Sequence, residues 1–375
     1  MTADDAADAA PTPLEARLRR LIEANGPITV ADYMSDALFH PHDGYYAGGG
    51  ARAGASPVGA DGDFVTAPEI SQIFGELIGA WLVQSWIDLG APTPFNLVEL
   101  GHGRGALMAD ALRAAKARPE FLAAARIQLV ESSGRLRHEQ RQRLIDLGPP
   151  IDWADAFADT PAGPFLLIAN EFFDCLPIRQ FARTETSWRE RLIGLGDDGL
   201  AFVHAPTPPP ATTPLPTRAG VEPGDVYELG EAGEALMEGV ATRLVADGGR
   251  ALVIDYGHAA DGCGDTLQAV RDHKPWPPLA RPGEADVTAH VNFERLMRAA
   301  FDAGAAAAGP VPQGAFLDRL GLAARVERLT AGAPADAAER VRAGAFRIAA
   351  PTQMGEIFKA ICVSAPGLPP PAGFA

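Results

Sequence analysis

Cysteine is scarce in this chain of 375 residues, which has only Cys175, Cys263 and Cys362. They are widely spaced and odd in number, so they give neither a disulfide framework nor a zinc-ligand spacing, and they fit a reducing compartment. Lysine is equally scarce, confined to Lys116, Lys274 and Lys359. Nearly all positive charge is therefore arginine, which, with the abundant Ala, Gly and Pro, points to a GC-rich genome rather than a functional choice. No polybasic cluster occurs and the formal net charge is −16. That argues against nucleic-acid binding, because phosphate contacts need a basic surface. An acidic surface suits a cationic partner or simple solubility. No apolar run reaches membrane-spanning length. The first residues carry Asp4, Asp5 and Asp8, the opposite of a signal or transit peptide. The expectation is a cytoplasmic protein with no membrane insertion. No Gly-x-Ser-x-Gly elbow is present, which argues against a hydrolase. His40 and His42 stand near Asp43 without further ligands at a recognisable spacing, so no metal is expected.

What the chain does have is a core-forming composition, 47% hydrophobic, together with 40 glycines and 33 prolines for turns. Residues 13–25 read as a short amphipathic helix stopped by Asn25-Gly26-Pro27. Thr29-x-x-Asp32 reads as a capping box for a second helix to about Leu38. Residues 40–65, rich in Gly, His and Asp, form a long loop of the kind that usually carries function. Thr66-x-x-Glu69 is a second capping-box pattern, opening a helix over 67–89 with Ile70, Phe74, Leu77, Ile78, Trp81, Leu82 and Leu89 at helical spacing. From Phe95 strands and helices alternate: strands at Phe95–Leu100, Ile127–Glu131, Ile151–Trp153 and Phe165–Asn170, with helices at Ala106–Lys116 and Leu136–Leu147. Segments between 178 and 204 read as antiparallel strands inserted beside the site. A helix near 230–246, a strand at Ala251–Tyr256, a helix at Phe293–Ala303 and a strand at Phe358–Ser364 follow. The order argues for an α/β fold, a mostly parallel sheet with helices on both faces. Residues 1–92 are expected to form a helical segment with a site-closing loop. An α/β domain covers 93–365, with its insertion at about 178–225, and 366–375 form a loose tail.

The chemistry-bearing signal is Asn96-Leu-Val-Glu-Leu-Gly-His-Gly-Arg-Gly-Ala106. An apolar strand ends in Glu99, and Gly101, Gly103 and Gly105 then allow a tight turn and close approach of the main chain to a ligand. The free N–H groups of the following helix favour a carboxylate or phosphate. Gly101-x-Gly103-x-x-Ala106 also satisfies a dinucleotide fingerprint. Glu99 favours S-adenosylmethionine, since an acid there suits the ligand's ammonium group and repels a pyrophosphate. Glu131, closing its strand, can accept both ribose hydroxyls of either cofactor. Asn170, Glu171 and Asp174 lie where the apolar strand Phe165–Asn170 meets a polar step. They can orient a substrate nitrogen, or simply favour a helix dipole. Gly62-Asp63-Phe64 before Thr66 exceeds what a cap requires and suits a loop that closes over the cofactor.

Several blocks together resemble one family, the MidA-type S-adenosylmethionine-dependent methyltransferases, whose eukaryotic members are mitochondrial complex I assembly factors. They are Ile28-Thr-Val-Ala-Asp-Tyr-Met, His40-Pro-His-Asp-Gly-Tyr-Tyr, Gly62-Asp-Phe-Val-Thr-Ala-Pro-Glu-Ile-Ser-Gln-Ile-Phe-Gly-Glu and Val98-Glu-Leu-Gly-His-Gly-Arg-Gly. Ala169-Asn-Glu-Phe-Phe-Asp-Cys-Leu-Pro-Ile, Gly264-Asp-Thr-Leu-Gln-Ala-Val and Gly283-Glu-Ala-Asp-Val-Thr-Ala-His-Val complete the set, and the resemblance, to a bacterial member, spans roughly residues 14–364. It implies a class I, Rossmann-like methyltransferase with a seven-stranded sheet, an N-terminal helical cap and an antiparallel insertion. It further implies methylation of a protein arginine, in a partner resembling a complex I subunit. Glu171 and Asp174 are the expected catalytic acids, with Glu69 a third on the closing loop. Glu99, Gly101, Gly103, Gly105, Glu131, Asp155, Asn170 and Thr66 are the expected cofactor-binding set. His102 stands where the family often has Pro. An NAD-dependent oxidoreductase and a non-catalytic cofactor-binding assembly chaperone are the alternatives.

Overall fold

Alternating apolar runs and amphipathic helices after Phe95 fold as the sequence pattern requires. In the computed structural model, which describes residues 10–46, 59, 62–101, 103–217 and 220–374, contacts divide the chain into two units. One takes Val65–Phe173, Glu234–Ala259 and Val291–Ala375, the other Met1–Phe64, Asp174–Gly233 and Ala260–His290.

The first is a sheet unit. Its strands run across the sheet as Ala306–Pro312, Phe358–Ser364, Gly249–His258, Phe165–Asn170, Phe95–Leu100, Ala125–Val130 and Ile151–Ala154. Counted in chain order, that arrangement is 3-2-1-4-5-7-6 reading from the Ile151–Ala154 edge. Only Phe358–Ser364 runs against the rest. A two-residue strand, Val291–Asn292, also pairs with the end of Gly249–His258. Chain order reverses between the adjacent strands Phe95–Leu100 and Phe165–Asn170, and a parallel sheet leaves its ligand crevice at the carboxyl ends of such a pair. The sheet is buried because its strands are nearly continuous apolar runs. Leu97, Ile127, Leu129, Leu166, Ile168, Leu252 and Ile254 pack with Phe74, Ile78, Trp81 and Leu82 of the helix Gln72–Asp88, and with Leu107, Met108 and Leu112 of Ala106–Ala115. Each such side chain contributes about 1.5–3 kcal/mol when removed from water. Those two helices cross closely at Gly79, where a Cβ would lie 2.5 Å from the Ala111 carbonyl oxygen.

Two local expectations need correction here. The helix foreseen over 67–89 is two helices, Ala67–Ile70 and Gln72–Asp88, broken at Ser71, whose backbone is extended and whose hydroxyl caps the second. Thr66 makes no side-chain cap; the Glu69 N–H, which a capping box would give to the Thr66 hydroxyl, donates to the Thr66 carbonyl instead. Residues 366–374, expected to belong to a loose tail, pack on the sheet unit. Trp81 donates to the Ala372 carbonyl at 3.1 Å, Phe374 lies against Phe316, and the fully buried Arg250 bonds the Pro369 carbonyl and Asp88.

The second unit is antiparallel. Trp188–Gly196 pairs with Arg179–Arg183, Gly199–His204 and, from far along the chain, Ile28–Thr29; Val226–Leu229 pairs beside Arg179–Arg183. The helices Pro13–Asn25 and Val30–Phe39 belong here, and Thr29 and Asp32 form the foreseen capping box. Their Leu14, Leu18, Tyr33, Met34 and Leu38 share a core with Ile193, Trp276 and Val287. The blocks at 264–270 and 283–291 meet as paired strands, Gln268–Arg271 with Asp286–Thr288. Among the described residues no helix is long and apolar enough to cross a membrane.

Candidate active site

The strand Phe95–Leu100 delivers Glu99 to the carboxyl edge of the sheet. Its side chain is 2% exposed, and burial pushes its carboxyl up to about 8. The parallel register sets Glu99 opposite Ile168, so Asn170, two residues further, projects on the same face. Glu99 Oε2 and Asn170 Oδ1 are both buried with no hydrogen-bond partner among the described residues. An orphaned buried acceptor is costly, so two on one face mark a place built for a donor.

Gly101, Gly103 and Gly105 all have positive φ, +60°, +48° and +79°. At Gly101 the need is steric as well: a Cβ would lie 2.4 Å from Cδ2 of Phe172, whose ring covers the turn. Gly105 caps the helix Ala106–Ala115 without a side-chain bond, leaving the first N–H groups for a ligand. His102 lies outside the described residues.

Glu131 follows the strand Ala125–Val130 and accepts from the Ser133 N–H at 2.8 Å; burial outweighs that bond and raises its carboxyl pKa. Gln140, which sequence reasoning missed, links this acid to the glycine turn. It is fully buried, donates to the Gly103 carbonyl at 2.7 Å and accepts from Trp153 Nε1 at 2.8 Å. The signal was present: Gln140 stands between Leu136 and Leu144 at helical spacing, a polar side chain on an apolar stripe. Asp155, expected to contact the cofactor, is largely exposed and paired with Arg137, which also bonds the Glu131 and Ala154 carbonyls.

At the next strand end, Glu171 adopts φ +50°, a left-handed conformation rare for a side-chain-bearing residue. Its Oε1 accepts from the Ala67 N–H and from Asn170 Nδ2, both at 3.0 Å. The segment is braced by Asp255, also missed, whose signal was an acid closing the apolar run Ala251-Leu-Val-Ile. Glu69 sits at the end of that braced segment's neighbour, Ala67–Ile70. Burial opposes its ionisation, yet Arg104 (2.9 Å) and Arg143 (2.9 Å) outweigh this and hold the carboxyl below its usual range. Both oxygens of Glu69 are thus engaged by the chain's own arginines. Thr66 contributes its carbonyl, which accepts from the Glu69 and Ile70 N–H groups.

The structure therefore gathers Glu99, the three glycines, Glu131, Asn170, Glu171, Thr66 and Glu69 in the sheet unit. Asp174 belongs to the antiparallel unit. It is buried there, its carbonyl accepts from the Ala289 N–H at 2.9 Å, and its charge adds, after burial and Asp286, to what keeps the Tyr46 phenol protonated. Asp63, foreseen in a closing loop, is in the same unit, where it accepts from Tyr45 and the Asp272 N–H. Most of the loop before it (47–58, 60 and 61) lies outside the described residues. Among the described residues no His, Cys, Asp and Glu cluster could hold a metal.

Residues 77–311 match a family described as an S-adenosyl-L-methionine-dependent methyltransferase. The chain belongs to this family. It is 38% identical to the mitochondrial protein arginine methyltransferase NDUFAF7 of Mus musculus, over 92% of this chain and 83% of that one. It is 36% identical to the NDUFAF7 homologue of Drosophila melanogaster, with the same coverage. A likely methyl transferase from Burkholderia thailandensis, solved bound to S-adenosyl-homocysteine, superposes with a TM-score of 0.80 at 28% identity, covering 99% of this chain and 95% of that one. The methyltransferase family settles the choice of cofactor left open by the glycine turn, for S-adenosylmethionine and against NAD. The site's chemistry fits it. The unpartnered Glu99 Oε2 and Asn170 Oδ1 match an ammonium donor, whereas a pyrophosphate would meet a carboxylate.

Proposed function

We propose that this methyltransferase modifies an arginine side chain of a protein partner, and that Glu171 is the acid facing the acceptor nitrogen. The observation that carries the reading is Glu171 itself, held in a strained backbone conformation at the carboxyl edge of the sheet, beside the buried unpartnered acceptors. Strain of this kind persists where surrounding structure over-determines it, and it clusters at functional sites. The names of the relatives support arginine as the acceptor, and the family resemblance gives a complex I subunit as the partner class.

In this reading Glu99 and Asn170 hold the cofactor's ammonium group, Glu131 its ribose hydroxyls, and the glycine turn its carboxylate. S-adenosylmethionine supplies a methyl group on a sulfonium, already activated for transfer. The protein's task is then the acceptor. A guanidinium is a poor nucleophile because its charge is delocalised and its pKa is about 12.5–13.8. Carboxylates around it draw that charge away from the attacking nitrogen and fix its direction, so catalysis is positioning and electrostatics. Glu69, with both oxygens bound by Arg104 and Arg143, serves as a strut that ties the short helix Ala67–Ile70 to the glycine turn.

The test is methyl transfer from labelled S-adenosylmethionine to proteins of an extract lacking this chain. The expected result is label in protein, recovered as methylarginine on acid hydrolysis, and lost by roughly 100-fold or more with Glu171→Gln. Label recovered on another residue type or only in small molecules overturns the arginine assignment, and an active Glu171→Gln enzyme removes Glu171 from the mechanism.

A further inference from the structure

The backbone of the turn after the strand Phe165–Asn170 is tied to a neighbouring strand, Gly249–His258. Glu171 donates its N–H to the Ile254 carbonyl at 2.9 Å. Phe172 and Phe173 both donate theirs to a single oxygen, Oδ2 of Asp255, at 3.1 and 2.9 Å. The other oxygen, Oδ1, accepts from the Tyr256 N–H at 2.9 Å. Asp255 is fully buried, and breaking its bonds would leave buried donors unpaired, which is costly. Three successive N–H groups are thereby held, at the turn where Glu171 adopts φ +50°.

Two functional consequences follow from that one brace. It directs the Glu171 carboxylate to the Ala67 N–H and Asn170. It also seats the Phe172 ring on Gly101, so close that a Cβ there would be 2.4 Å away. We propose that Asp255 is a positioning residue for methyl transfer, acting through the placement of Glu171 rather than on the substrates. The inference rests on Glu171 serving the acceptor, as proposed above.

The test is a double-mutant cycle on the full chain, using Asp255→Asn, Glu171→Gln and the pair. Initial rates of label incorporation into the extract proteins are measured at saturating S-adenosylmethionine, over times long enough to read about ten-thousand-fold losses. S-adenosylhomocysteine binding is measured by calorimetry. Asp255→Asn keeps the shape of the side chain and one acceptor oxygen. It is expected to slow transfer roughly 10–100-fold while leaving S-adenosylhomocysteine affinity within about threefold. In the Glu171→Gln background it should cost nothing further, because the group it positions is already gone. A purely structural acid would give losses that multiply, or would lower rate and cofactor affinity in parallel, and either result overturns the inference, as does a wild-type rate for Asp255→Asn. An unimpaired Glu171→Gln enzyme overturns the assignment of Glu171 and this inference with it. An impaired Glu171→Gln enzyme with multiplying losses leaves that assignment standing and removes only the role of Asp255. The more drastic Asp255→Ala serves only to enlarge the effect if it folds.

Discussion

Glu99 and Asp255 are acids on strands of one parallel sheet, both withdrawn from water, and the protein treats them in opposite ways. Asp255 is met by three backbone N–H groups from its own chain. Glu99 keeps an oxygen with no partner among the described residues, and burial pushes its carboxyl up to about 8. A buried acid that is fully bonded has been used to fix the fold. One left without a donor destabilises the ligand-free protein and is retained for what binds there. On the proposed roles, the two kinds of acid along this sheet edge separate positioning from binding.

The sharpest way to break that distinction is Glu99→Gln. A charge-assisted bond is worth about 1.5–3 kcal/mol, so S-adenosylhomocysteine affinity should fall roughly 10–100-fold by calorimetry. The same substitution should raise the thermal stability of the ligand-free protein at pH 9. The sign follows from the raised pKa. Keeping Glu99 ionised in the fold costs free energy that begins above the ordinary carboxylate value and is complete once pH passes about 8, and glutamine avoids it. Unchanged affinity would mean that Glu99 is a misplaced structural acid. A smaller effect is expected from Gly101→Ala, which forces a side chain into φ +60° and against Phe172. It should cost about 1–3 kcal/mol of stability and weaken cofactor binding about tenfold. Phe172→Leu in the same chain should restore part of the loss, and if it restores none, the contact is not what limits the site.

Much of this was legible locally. The strands Phe95–Leu100 and Phe165–Asn170 have the boundaries their apolar runs predict, because a strand buried on both faces is written as a continuous run. Glu99 and the glycines were legible because a tight turn restricts residue type. What escaped depends on distant partners. Thr66-x-x-Glu69 satisfies a capping box as well as any real one, yet the Glu69 side chain pairs with Arg104 and Arg143, 35 and 74 residues away, and its N–H donates to the Thr66 carbonyl. The pairing of Ile28–Thr29 with Trp188–Gly196 and the seating of the proline-rich end on Trp81 and Phe316 are likewise long-range. Asp255 and Gln140 left a trace, a polar residue on an apolar pattern, which says that a partner exists but not which one.

The pH dependence of cofactor binding sharpens the role of Glu99. The pair that binds is a carboxylate with an ammonium. Below about 8 Glu99 must lose a proton first; at higher pH the ligand loses the proton of its own ammonium. S-adenosylhomocysteine affinity should therefore rise towards pH 8, by up to about tenfold per unit, and decline once the ligand's ammonium deprotonates. In Glu99→Gln the rising limb should vanish. A flat wild-type profile would show that Glu99 does not meet the ammonium.

The smallest expected effect concerns Glu69, and it decides between a catalytic acid and a strut. Its side chain is 11% exposed, but Arg104 and Arg143 are 33% and 40% exposed, so solvent screens the network and its worth is about 1 kcal/mol or less. Because the Glu69 pKa is lowered, that stabilisation is present above the ordinary carboxylate range and disappears as pH falls through the lowered value. Glu69→Gln should thus lower the unfolding temperature slightly at pH 7, with the difference closing in strong acid and in high salt. As a strut, Glu69 acts on the short helix Ala67–Ile70, whose Ala67 N–H also bonds Glu171, so rate and S-adenosylhomocysteine affinity should both fall only a few-fold. A catalytic Glu69 would instead lose roughly 100-fold in rate with affinity intact, and would return to the acceptor side of the site the acid that Arg104 and Arg143 now hold.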